Sequence, residues 1–219
     1  MIYHFFMDIN FLHNFKTIRN EIKNYSNKVN LIVVTKNQSF DKVNYLISEG
    51  HKDFGENRVQ EARSKWQDYL KNNINIRLHY LGKLQSNKIK GIGELFQFIH
   101  SLDSIKNAEL LAKEEIRSSK KLKYFIQVNI AKEIQKSGIQ EEDLNELLIF
   151  CKMINLNIIG LMCIPPSRGD SSSFFRKLQY LSKNYSLKEL SMGMSNDYKD
   201  AISNGATYVR IGNLIFNKD

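Results

Sequence analysis

"LIVVTKNQSF", Leu31 to Phe40, sets the reading of the whole chain. Leu31 to Val34 form a short apolar run rich in β-branched residues, the mark of a buried strand. The run passes through Thr35 into Lys36 and then into Asn37, Gln38 and Ser39. A lysine there either snorkels out of a strand end or stands at the open end of a sheet. Which of the two applies depends on what surrounds it.

Working outward, helical spacing recurs along the chain. Phe11, Phe15, Ile18 and Ile22 share one face of an opening helix ahead of a first strand at Asn30 to Thr35. Similar spacing appears at Val43, Leu46 and Ile47, at Val59, Ala62, Trp66 and Leu70, at Ile105, Ala108 and Ala112, and at Leu144, Leu147, Leu148 and Cys151. Between these stretches lie candidate strands around Lys52 to Gly55, Arg77 to Leu81, Phe98 to Leu102, Lys123 to Ile130, Asn157 to Ile164, Glu189 to Met192 and Thr207 to Ile211. With the first, that makes eight strands, each linked through a helix. This predicts an α/β chain forming a single (β/α)8 TIM-type barrel with an additional N-terminal helix, residues 1–219 making one domain. An open doubly wound sheet is disfavoured, because no G-x-G-x-x-G follows the first strand and no G-x-x-x-x-G-K-[ST] occurs. Gly91 and Gly93 in "KGIGELF" lie inside a helical pattern, and "PPSRGDSSS" (Pro165 to Ser173) reads as a mobile loop.

Composition excludes several classes. The 219 residues are 42% hydrophobic and 25% charged with two prolines, a globular balance. No apolar run approaches the roughly 18 residues that span a bilayer, and "MIYHFFMDINFLHNF" lacks a basic region and a cleavage site. Cys151 and Cys163 fall in apolar surroundings, as reduced core residues do. A cytoplasmic chain without a membrane or metal role is expected. The net charge of +9 invites a nucleic-acid reading, but the lysines are scattered rather than clustered, so a solvated basic surface is expected instead. "SSKKLKY" (Ser118 to Tyr124) suits a helix C-terminus, where cations oppose the dipole.

In a parallel barrel the chemistry sits at the C-terminal ends of the strands. There the sequence places Lys36, "GEN" (Gly55 to Asn57), "GKLQSNK" (Gly82 to Lys88), "LDS" (Leu102 to Ser104), "NIAKEIQKSG" (Asn129 to Gly138), "IPPS", "GMSND" (Gly193 to Asp197) and "RIGN" (Arg210 to Asn213). Ser195, with Asp197 two residues on, reads as the cap of a helix whose free amides attract an anion. Gly212 and Asn213 form a turn where backbone N–H groups can approach a phosphate, and such barrels often hold phosphate after strands seven and eight. A lysine at this mouth, partly desolvated and near other cations, would have its pKa drawn below about 10.4 and could attack a carbonyl. An amine beside a phosphate site suits pyridoxal phosphate.

The motifs "VVTK", "FGENRVQE", "LHYLGKLQSNK", "IQVNIAKEIQKSGI", "GLMCIPP", "LSMGMSND" and "VRIGNLIF", in that order from about Leu31 to Asn217, resemble the pyridoxal phosphate homeostasis protein family. Its members look like a free-standing alanine racemase N-terminal-domain barrel. The sequence departs from the pattern at Leu78, where tryptophan is usual, at Thr35, where serine is common, and at Asn213, where serine or threonine is usual. The last change removes a hydroxyl but leaves the backbone N–H. The resemblance implies that Lys36 holds pyridoxal 5'-phosphate as a Schiff base and that Asn57 lies beside the ring. It implies that Ser191, Met192 and Ser195 line ring and phosphate, that Gly212 and Asn213 bind the phosphate, and that Arg210 faces the pyridine nitrogen.

A fixed guanidinium disfavours a second positive charge on the ring and weakens it as an electron sink. The expectation is therefore a non-catalytic cofactor-binding protein in vitamin B6 and amino-acid homeostasis. Its expected recipients are apo pyridoxal-phosphate enzymes, and monomer is the expected state, because the racemases' second domain is absent from the chain as given. The alternative is an amino-acid racemase with Lys36 as one base, for which Tyr45, Tyr80 and Tyr208 have no marked claim as the other. Lys83, Lys88 and Lys136 could supply secondary amines, although solvent-facing charge accounts for each.

Overall fold

The computed structural model describes residues 2–72, 75–133, 135–166 and 169–216. A long helix, α1 (Ile2–Tyr25), leads into β1 (Asn30–Val34), α2 (Phe40–Ser48), β2 (Asp53–Glu56), α3 (Val59–Asn72) and β3 (Arg77–Tyr80). Then come α4 (Ile89–Leu95), β4 (Phe98–Leu102), α5 (Ile105–Ser118), β5 (Lys123–Gln127) and α6 (Leu144–Met153). The chain ends through β6 (Ile158–Met162), α7 (Ser171–Asn184), β7 (Glu189–Ser191), α8 (Tyr198–Ser203), β8 (Tyr208–Ile211) and α9 (Asn213–Phe216). All eight expected strands are present, six within a residue of their expected bounds, while β5 and β6 have 5 residues each and stop short of the expected Ile130 and Ile164.

The strands pair in sequence order, all parallel, and β8 pairs with β1 to close the barrel. Parallel strands buried on both faces explain the near-continuous apolar runs that marked them in the sequence. Outside the sheet, helix residues at 3.6-residue spacing form the main hydrophobic layer: Val43 and Leu46 from α2, Ala62 and Trp66 from α3, Leu144, Leu147 and Cys151 from α6. Both cysteines are buried free thiols. Helix α1 buries Phe11, Phe15, Ile18 and Ile22. It lies over the β8–β1 seam, where Phe11 stacks on Phe216 of α9 and Asn14 Nδ2 donates to the Ile215 carbonyl at 3.4 Å.

Ser119, in the left-handed region, ends α5 just before the basic run, as expected there. Of "PPSRGDSSS", residues 167 and 168 lie outside the described residues. Asp170 caps α7 through Ser172 N–H, so Ser171 to Ser173 are the helix's first turn rather than loop.

The lumen is mixed. Phe98, Phe125 and Met162 form a small apolar layer, with Tyr208 packed against it. Among them sit the fully buried His79 and His100, stacked on Phe98 and Phe125 with centroids 4.4 and 4.3 Å apart. Burial lowers the pKa of both imidazoles. Beneath α1, burial likewise pushes His51 down to about 4.

Two predictions follow from this packing. A Cβ on Gly160 would lie 1.9 Å from the Glu189 carbonyl oxygen across β6 and β7, so Gly160→Ala should cost about 3 kcal/mol in denaturant unfolding, the upper end for an overpacked site. The three depressed histidines bind protons in the unfolded chain, near pH 6.5, before they do so in the folded one. Stability should therefore be greatest above that pH and fall as pH drops from about 6.5 towards 4. Melting temperatures measured across that window test it; a flat profile contradicts it.

Candidate functional site

Lys36 stands at the C-terminal rim of β1 and is solvent-exposed. Its parity is that of Ile32, whose Cγ2 lies on the lumen side against Gly55. The expected desolvation of the amine by the protein is not found: the side chain is open to water. What the fold supplies instead is a fixed backbone. Thr35 N–H donates to the Gly55 carbonyl at 2.9 Å, carrying strand pairing past the end of β1. Lys65 Nζ donates to the Thr35 carbonyl at 2.6 Å, and Asn37 N–H donates to Glu61 Oε1. The peptides on both sides of Lys36 are thus held, and Asn37 takes φ 59° to make the turn.

The clamp rests on a buried carboxylate. Glu56 Oε1 accepts from Thr35 Oγ1 at 2.7 Å, Lys65 Nζ at 2.9 Å and Trp66 Nε1 at 3.1 Å. Glu56 is wholly buried and Lys65 is 7% exposed. Lys65 also donates to Glu61 at 3.2 Å, one turn away on α3. The residues "FGENRVQEARSKW" therefore aim Lys65 and Glu61 at the backbone on either side of Lys36, with Glu56 holding Lys65 and the Thr35 hydroxyl.

Asn57 follows β2 on the same rim. Its carboxamide oxygen is buried with no hydrogen-bond partner among the described residues. The Asn57 carbonyl would lie 2.2 Å from a Cβ on Gly82, so the loop after β3 must carry glycine to approach it.

On the same rim, beside β1, the loops after β7 and β8 meet. Ser195 does not cap α8, as its sequence position suggested. The turn from Met194 closes on itself, with Asp197 and Tyr198 N–H groups both donating to the Met194 carbonyl and Asp197 Oδ1 accepting from Met194 N–H at 2.6 Å. Helix α8 therefore starts at Tyr198, and Asp197 at its N-cap makes no side-chain cap bond. Ser195 Oγ instead accepts from Leu214 N–H at 3.3 Å and ties this loop to the first turn of α9. Gly212 lets the turn after β8 press on the end of β1, where a Cβ would meet the Val34 carbonyl oxygen at 2.9 Å. Asn213, exposed, opens α9.

Below this rim, within β8, lies Arg210, buried and paired in register with Ile32 of β1. Its Nη1 donates to Ser191 Oγ at 2.7 Å and its Nη2 to the Cys163 carbonyl at 3.0 Å. Burial lowers its pKa, but a guanidinium remains charged. Ser191 is wholly buried and serves Arg210 rather than standing open at the mouth. Met192 has the opposite parity and packs in the hydrophobic layer outside the sheet, so its side chain is withdrawn from the lumen. Among the further lysines, Lys136 pairs with Glu133 and donates to the Pro165 carbonyl at 3.4 Å, bridging the loops after β5 and β6. Lys83 is exposed and Lys88 half-buried.

Sequence reasoning missed Glu56, Glu61 and Lys65, and the histidines beneath Arg210. The available signal was a glutamate at a strand end and two histidines in mid-strand, "LHY" and "FIHSL", where polar residues need partners. Removing Lys65 leaves Glu56 buried without a cation, so Lys65→Met should lower unfolding free energy by roughly 3–5 kcal/mol. Adding Glu56→Gln in the same chain should recover most of that loss in denaturant titrations.

Comparison with known proteins matches the chain, over residues 9–218, to the family of the alanine racemase N-terminal domain. The pyridoxal phosphate homeostasis protein of Pseudomonas aeruginosa is 38% identical over 194 residues, covering 86% of this chain and 84% of that one. That of Aquifex aeolicus is 38% identical over 179 residues, covering 77% and 78%. PipY of Synechococcus elongatus PCC7942, solved with PLP bound, superposes with a TM-score of 0.85 at 32% identity, covering 94% of this chain and 100% of PipY. An alanine racemase of Clostridium difficile 630 shares the fold, with a TM-score of 0.77 at 15% identity, over 96% of this chain and 57% of the racemase. Closed barrel, rim lysine and relatives together identify the chain as a member of the pyridoxal phosphate homeostasis protein family.

Proposed function

We propose that this chain binds pyridoxal 5'-phosphate at the C-terminal mouth of its barrel and acts in vitamin B6 and amino-acid homeostasis as a holder of the cofactor rather than as an enzyme. One observation carries the reading: Lys36 is an exposed amine whose flanking peptides are both clamped, on the rim that also carries the Ser195–Leu214 contact. Homologues named for pyridoxal phosphate homeostasis and the PLP-bound PipY support it.

The residues present fit such a ligand. Lys36 supplies the exposed amine that would hold the ligand's aldehyde as a Schiff base. Asn57 offers a buried oxygen that lacks a partner among the described residues. Ser195 and the backbone of Gly212 and Asn213, on the two loops joined by the Ser195–Leu214 contact, would hold its phosphate. Arg210, by the family resemblance, would face the ring nitrogen with its positive charge; two of its five N–H groups are spent on Ser191 and Cys163. When bound, the cofactor supplies an aldehyde and a conjugated ring able to stabilise negative charge at a substrate carbon. Arg210 opposes that last property by opposing protonation of the ring nitrogen.

The tyrosines favour the holder over a racemase. Tyr45 is half-exposed on α2, Tyr80 donates to the Lys83 carbonyl at 3.1 Å, and Tyr208 is packed between His79, His100 and Phe125. We further take the whole of residues 1–219 as one cytoplasmic, monomeric cofactor-binding unit that delivers its cargo to apo enzymes. Among the described residues no helix is long and apolar enough to cross a membrane.

Mixing the protein with pyridoxal phosphate should produce a yellow absorption band that borohydride fixes as a covalent adduct on wild type and not on Lys36→Ala. Equal spectra and equal adduct mass for the two proteins overturn the assignment. Deuterium entering the α-carbon of an added amino acid in D2O would replace the holder with a racemase.

A further inference from the structure

Below the mouth, a line of hydrogen bonds runs along the inside of the barrel from β8 to β2. Arg210 Nη1 donates to Ser191 Oγ at 2.7 Å, and Ser191 Oγ lies 2.8 Å from His100 Nδ1. His100 Nε2 lies 2.9 Å from His79 Nδ1, and His79 Nε2 lies 3.0 Å from Asp53 Oδ1. All five residues are buried. Arg77, half-exposed at the opposite rim, pairs with the other oxygen of Asp53.

The two ends give the line a direction. A guanidinium only donates and an ionised carboxylate only accepts. Asp53 therefore takes the Nε2–H of His79, which leaves His79 Nδ1 as an acceptor. His79 then takes the Nε2–H of His100, and His100 Nδ1 takes the Ser191 hydroxyl proton. Ser191 is left with lone pairs for Arg210. Each link holds one proton, and both imidazoles are neutral in the same tautomer. Burial, which opposes charging of either ring, acts in the same sense. Stacking on Phe98 and Phe125 fixes the orientation of the two rings, which are tilted 52° to each other.

We propose that Asp53, His79 and His100 are positioning residues which, through Ser191, set the orientation in which Arg210 meets the bound cofactor's ring. The proposal rests on the cofactor reading of Lys36 and Arg210. A chain that only satisfied buried polar groups would stabilise the fold without reaching the mouth. Here the carboxylate and the guanidinium dictate the same proton order, and Asp53 anchors the His79 and His100 rings that hold the Ser191 hydroxyl turned away from Arg210.

Nitrogen-15 spectra of histidine-labelled wild type test the tautomers without any substitution: both His79 and His100 should be neutral with the proton on Nε2. Asp53→Ala, far from the mouth, removes the acceptor of the His79 Nε2–H, so the His79 signals should shift and its ring lose its anchor, while Arg210, still donating to Ser191, keeps His100 protonated on Nε2. Once loaded with pyridoxal phosphate, the variant should show a shifted absorption maximum and a dissociation constant raised roughly 2- to 10-fold, the worth of about one hydrogen bond. Arg77→Met is the control: it removes an ion pair from the same end yet leaves Asp53 accepting from His79, so tautomers and spectrum should match wild type. A proton on Nδ1 of either ring in wild type overturns the inference. So does an Asp53→Ala protein that binds cofactor with wild-type spectrum and affinity, or whose changes Arg77→Met reproduces. A wild type that takes up no cofactor overturns the Lys36 reading and this inference with it, whereas normal uptake by wild type with an unchanged Asp53→Ala overturns the inference alone.

Discussion

The parallel pairing of β1 with β8, from Asn30–Tyr208 to Val33–Ile211, is the constraint on which the rest of this molecule depends. It joins the first strand to the last, and so brings Lys36 to the rim that carries the turn at Gly212. Gly212 matters because its missing Cβ lets that turn lie on the Val34 carbonyl. Helix α1 then seals the same seam from outside, through Phe11 on Phe216. Loop-closure entropy opposes a pairing of such long sequence separation until its contacts repay it. The binding mouth is complete only when the whole barrel has closed.

Closure also creates a lumen that must be filled, and this chain fills much of it with polar groups. A buried guanidinium is costly unless its donors are used. Arg210 uses Ser191 and Cys163; Ser191 uses His100; the line ends on Asp53. At β1 the same logic holds on the other side of the sheet, where Glu56 collects three donors and Lys65 spends its ammonium on the carbonyl before Lys36. Both devices fix geometry rather than add apolar stability. In both, removing one partner leaves a buried polar group stranded, which is more damaging than the net worth of the bond.

Much of the fold was legible in the sequence. Strands buried on both faces read as apolar runs, and amphipathic helices repeat their core residues at 3.6, so eight units could be counted and the outer packing of Trp66, Leu147 and Phe15 foreseen. Lys36 stood out because a charge at the end of a core strand is locally inconsistent, and such inconsistencies mark function. The candidate site was legible only in part. Ser195 looked like a cap because serine before an amphipathic stretch usually is one, but the Asp197–Met194 turn moved the start of α8. Ser191 and Met192 looked equivalent in "LSMG", yet neighbouring strand residues face opposite sides, so one supports Arg210 and the other packs among helices.

Local chemistry, namely hydrophobic period, turn residues, charge at strand ends and motif order, is written residue by residue, and by itself it determined the barrel, its eight strands and the prominence of Lys36. Exposure of the Lys36 amine, the Lys65–Glu56–Glu61 grip on its backbone and the line from Arg210 to Asp53 were decided only by tertiary structure. Each depends on which strands become neighbours and which parity faces the lumen. Those relations join residues far apart in the chain, and no local pattern encodes them.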